Sequence, residues 1–120
     1  MPKFVTIGYG DRKGYDSIEA SVRNAAHAHD ARLLDAGAIV GIAGTPVQVR
    51  NPDAAKIETK NSPFMTSSLP VAGFAIIEAK NLEEAVTMVS KTPCAVAHGV
   101  VEVWPLEEVR PSLQGSFPEF

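Results

Sequence analysis

Residues 72–105, AGFAIIEAKNLEEAVTMVSKTPCAVAHGVVEVWP, hold a strand, a helix and a second strand in one run, and their reading decides the fold. From Ala72 to Ala79, Phe74, Ile76 and Glu78 alternate with Gly73, Ala75 and Ile77, the period of two that a strand requires. Asn81 with Glu84 three positions later is a capping-box signal, and Leu82, Ala85, Val86 and Val89 follow at i, i+3, i+4 and i+7. Thr92-Pro93 ends that helix, because a residue before proline is pushed out of the helical region. Gly99 to Trp104 reads as the last strand, with Val101 and Val103 on one side and Val100, Glu102 and Trp104 on the other; Pro105 closes it.

The N-terminal half repeats the pattern. Lys3 to Tyr9 alternates Val5, Ile7 and Tyr9 with Phe4, Thr6 and Gly8, and stops at the turn-forming Gly10-Asp11. Asp16 and Glu19 give a second capping-box signal, behind which Ile18, Val22, Ala25, Ala26, His29, Leu33 and Ala36 recur at helical spacing up to Gly37. That predicts one helix of about 20 residues. Ala38 to Ala43 is a short apolar run bounded by glycines, hence a strand. Val47 to Lys60 turns at Asn51-Pro52-Asp53 and reads as a hairpin, followed by the serine-rich loop from Asn61 to Pro70. The order is that of a split βαβ, or ferredoxin-like, α+β fold: two helices on one face of an antiparallel sheet, with an inserted hairpin. A single domain is expected over 1–120, with its core at 1–106 and a C-terminal tail at 107–120.

Two helices cover only one sheet face, yet strands carry apolar residues on both, so Phe4, Phe74 and Ile76 would be left in water. The economical cover is the same face of a second copy, which predicts a homodimer through the open face and thus a dimeric α+β barrel.

Composition narrows the function classes. The 120 residues are 45% hydrophobic and 21% charged, near globular averages, with a net charge of -3 and no run of like charges. No nucleic acid is expected as partner. No apolar stretch approaches the ~18–20 residues needed to span a bilayer, so no membrane partner is expected either. The lone Cys94 allows no internal disulfide, and no charged segment followed by an apolar one opens the chain, so the expected location is cytoplasmic. Phosphate loop, dinucleotide fingerprint, nucleophile elbow and zinc motif are all missing from the sequence, so no cofactor and no metal is expected.

The groups able to move protons near neutral pH are then His27, His29, Asp30, Asp35, His98 and Glu102. His29 falls on the apolar stripe of the first helix, so its ring should point to the sheet, either as a core histidine bonded to a carbonyl or as a general acid or base in a cavity. His27 lies about 200° around the helix from it and shares a face with Arg23 and Asp30, which reads most simply as a solvated polar face. The two histidines diverge too far to ligate one metal. His98 sits in a loop beside Gly99. Glu102, mid-strand, needs a donor, an arginine or the Trp104 indole, and an interface ion pair is its expected role. Cys94 follows Pro93 without an adjacent base and reads as an inert buried thiol.

Five stretches together resemble the YCII-related family, in its DGPF subgroup: Asn61-Ser62-Pro63-Phe64, Ala72 to Ala79, Asn81 to Ala85, Thr92-Pro93 and Gly99 to Leu106. The likeness is close in the C-terminal half and loose in the N-terminal half. The family's loop reads Asp-Gly-Pro-Phe and its last strand ends Glu-Val-Arg-Pro; here Asn61 and Ser62 replace the first two loop residues, and Trp104 replaces the arginine. The resemblance implies a ferredoxin-like dimeric α+β barrel. It also implies a first-helix histidine paired with an aspartate, here His27 or His29 with Asp30 or Asp35, and small ring or lactone-like substrates.

Two functions follow. One is a small-molecule enzyme of lyase or isomerase type, with His29 as general base, Asp30 or Asp35 as orienting acid, and Tyr9, Pro63, Phe64 and His98 around the substrate. The other is a non-catalytic dimeric module that binds a small ligand or regulates. Fold alone does not separate them.

Overall fold

A computed structural model describes residues 1–107; the expected tail lies outside the described residues from 108 onward. The main sheet has four strands, β1 (Lys3–Tyr9), β2 (Ile39–Ile42), β5 (Val71–Glu78) and β6 (Val100–Pro105), in the order β2-β5-β1-β6. All three pairings are antiparallel. The hairpin is a separate two-stranded sheet of β3 (Gln48–Arg50) and β4 (Glu58–Lys60). Between them, Pro52–Ala54 forms a single 3₁₀ turn in which Asp53 and Ala54 take positive φ.

Strand parity assigns the faces. Phe4 pairs with Ile77, Thr6 with Ala75 and Gly8 with Gly73, all on the side of the helices. Phe4 and Ile77 join Ala79, Ala85 and Val89 in the buried core. The expectation that Phe4 lies on the open face is therefore corrected: it is 3% exposed, under helix α3 (Leu82–Val89). The open face carries Val5, Ile7, Phe74, Ile76, Ile39, Val100 and Trp104 instead, and the last five of these are exposed.

The cap of α3 forms as expected, with Asn81 Oδ1 accepting the Glu84 N–H at 2.9 Å while the Glu84 carboxylate accepts from Lys80 N–H at 3.3 Å. The first helix differs from its expectation. It is split into α1 (Arg12–Ser17) and α2 (Ala20–Asp35), so Asp16 lies inside a helix and caps nothing. Asp11 is the true cap, accepting from Gly14 N–H at 2.8 Å. Ile18 and Glu19 are extended, which breaks the run. Arg23 then holds the break closed by donating from Nη1 to the carbonyls of Ile18 and, at 3.3 Å, of Tyr15. A fourth short helix, α4 (Pro93–Val96), fills the connection to β6. Gly37, at φ 103°, ends α2 as expected, with the N–H of Ala38 bonded to Leu33 O at 3.0 Å.

Candidate functional site

The helix layer is not equally close to the sheet along its length. Side-chain size on the central strand pair falls from Phe4 and Ile77 through Thr6 and Ala75 to Gly8 and Gly73. Over the small end, a cleft of about 990 Å³ opens between the sheet and α1, α2 and α4. Its floor is Thr6, Gly8, Gly73 and Ala75, and Cys94 and Pro93 of α4 close one side. A Cβ on Gly8 would stand 2.9 Å from Cys94 Sγ, so glycine there lets α4 settle onto the strand.

The polar groups of the cleft gather on the helical wall, where Tyr15, His27 and Asp30 all line it. The Tyr15 hydroxyl is 2.7 Å from His27 Nε2, and the two rings meet edge to face with centroids 5.8 Å apart. The Arg23 guanidinium lies over the Tyr15 ring, 5.5 Å from its centre. Asp30 is half-buried, and that burial pushes its carboxyl above the usual carboxylate range; the nearby imidazoles of His27 and His29 pull partly the other way. Cys94 is also pushed up, first by burial and then by the charge of Asp30, so its thiol stays protonated and unreactive.

His29 takes the first of the two roles that its stripe allows, half-buried and bonded to a carbonyl. Its Nε2 donates to Met88 O at 2.5 Å, and its ring faces a smaller cleft of about 320 Å³ with Ser21, Arg32 and Lys91. A ring whose N–H is tied to a carbonyl fits the core-histidine alternative. The face read as solvated, with Arg23, His27 and Asp30, does keep His27 exposed, and α1 makes it also the rim of the cleft by setting Tyr15 against His27. The one local signal for α1 is Asp11, three residues before Gly14, the spacing of an N-cap and the N–H it accepts from.

The other candidates lie elsewhere. Tyr9 is on the opposite sheet face, where its hydroxyl donates to Glu102 Oε1 at 2.6 Å, and that bond holds its phenol proton on to higher pH. Among the described residues the donor to Glu102 is thus a neighbouring strand's tyrosine. Asp35 is exposed at the last turn of α2, and His98 is exposed at φ 61° before β6. Pro63 and Phe64 are exposed beside the hairpin, with the Arg50 guanidinium 5.7 Å from the Phe64 ring centre. None of these lines the 990 Å³ cleft. Among the described residues no three of His, Cys, Asp and Glu come together as metal ligands, and no helix is long and apolar enough to cross a membrane. No family model matches the chain, and no curated protein is significantly similar to it.

Proposed function

We propose that the chain is a YCII-like, ferredoxin-like dimeric α+β barrel of the cytoplasm that acts on a small ring substrate by proton transfer, as a lyase or isomerase. The observation that carries this is the Tyr15–His27 contact on the wall of a cleft large enough for a small molecule. The strand order β2-β5-β1-β6, with each long helix joining strands that flank a third, supports the fold reading. The apolar side chains exposed on Phe74, Ile76 and Trp104 support a homodimer through that face.

In this reading His27 is the base. Its Nε2 is engaged by the Tyr15 hydroxyl, so the proton path from that nitrogen into the cleft runs through the phenol oxygen: Tyr15 takes a proton from substrate carbon as its own passes to His27. Asp30, one helical turn along, stabilises the imidazolium that results. His29 and Asp35 are released from catalytic roles.

The test is deuterium exchange in five- and six-membered lactones dissolved in D₂O, followed by NMR. Wild-type protein accelerates loss of the hydrogen next to the carbonyl, and His27→Ala or Tyr15→Phe lowers that rate by about 10²–10⁴-fold. Equal rates for wild type and both variants contradict the assignment. The largely apolar floor also suits the second function, a ligand-binding module; binding of a lactone with no exchange selects it.

A further inference from the structure

We infer that the β3–β4 hairpin is a dimerisation arm, which lies against the open sheet face of a second copy of this chain. The inference rests on the homodimer reading and adds to it a contact that the sheet face alone does not provide. Three residue pairs hold the hairpin together, Gln48 with Lys60, Val49 with Thr59 and Arg50 with Glu58. A two-stranded sheet of that length is marginal in water unless something covers it. Yet Val47, Val49, Ile57 and Phe64 are 54%, 67%, 69% and 75% exposed.

Area argues for the same occupant. Phe74 and Trp104 are 47% and 53% exposed, so each offers about half of the ~150–250 Å² that an aromatic side chain can bury. With the smaller Ile39, Ile76 and Val100, the open face supplies roughly half of the ~800 Å² per partner found in a stable interface. The four hairpin and loop side chains are of the size needed to supply the rest. Position agrees too. Gln48 Nε2 donates to Ser62 O at 2.9 Å, which ties the hairpin to the loop after it, and Met65 Sδ of that loop is 4.0 Å from the Tyr9 hydroxyl on the open face. The loop after the arm thus reaches the open face, and under twofold symmetry each arm meets the partner's face reciprocally.

Sedimentation equilibrium of three full-length proteins, joined to hydrogen exchange, tests this. Wild type is expected to be a dimer, Trp104→Glu a monomer, and the double variant Val49→Asp, Ile57→Asp a dimer weakened at least about tenfold with unchanged circular dichroism. Amides of 48–60 exchange slowly in the wild-type dimer and fast in the Trp104→Glu monomer. A double variant as tight as wild type overturns the arm and leaves the dimer reading intact. A wild-type monomer at about 100 μM removes both. Slow exchange retained in the monomer overturns the arm in favour of cover from the hairpin's own chain.

Discussion

The two ends of the helix layer rest on the same sheet face and differ in what the strands place beneath them. Under α3, Phe4 and Ile77 fill the gap, and Ala85 and Ala79 are fully buried against them. Under α1 and α2 the smaller Thr6 and Ala75 leave it open, Gly8 admits Cys94 of α4 at the far end, and Tyr15, His27 and Asp30 line the space. The comparison teaches that a taper of side-chain size along one antiparallel pair suffices to give a single layer both a dry core and a cleft. The dry end stabilises the fold. The open end gives up packing contacts in exchange for a site.

The largest effect expected is at the dry end. Ile77→Ala, at a residue 1% exposed, costs about 2–5 kcal/mol in urea unfolding, whereas truncation of a cleft residue such as Val71 to alanine costs less than ~1.5 kcal/mol. Equal losses would erase the distinction between the two ends. An identical enlargement then sharpens it: Ala85→Leu overpacks the core and costs about 1–3 kcal/mol, while Ala43→Leu, at the cleft lining, changes stability by less than ~1 kcal/mol.

Asp30 gives a smaller effect of opposite sign. Burial raises its carboxyl, so the folded chain holds that proton more tightly than the unfolded chain does. The resulting stabilisation is present below the ordinary aspartate value of about 3.9 and is lost as pH rises through the folded value. At neutral pH the ionised group is therefore a net cost, and Asp30→Asn raises Tm by a few degrees at pH 7 with no gain below about pH 4. A loss of Tm at pH 7 would contradict this account. The smallest effect is at the exposed Lys3–Glu78 pair, where Lys3 holds the Glu78 carboxyl below its usual range. Its contribution is present above the unfolded carboxylate value and fades as pH falls through the folded one. Glu78→Gln lowers Tm at pH 7 by less than any of the changes above, measured by thermal unfolding.

The strands and α3 were legible because their cues are local. Alternation in Lys3–Tyr9 and Val71–Glu78, and the Asn81 cap, are complete within a few residues. The α1–α2 break was not, since Asp16 and Glu19 carry a cap pattern as good as the real one at Asp11; tertiary contacts from Arg23 decide between them. That miss explains the site. Without α1, the face bearing His27 and Asp30 reads as solvent, and His29 inherits the cavity by default. Tyr15 was invisible for the same reason. The facing of Phe4 was lost differently: a strand apolar on both sides has no parity signal, and only its register with Ile77 assigns it.

The taper itself is tested most directly by titrating phenol, a small ring probe, into ¹⁵N-labelled protein. The account predicts shifts at the amides of Gly8, Gly73, Ala75 and Cys94, with those of Phe4, Ala79 and Ala85 unmoved. No shift in the first group, or shifts of equal size in both, would contradict it.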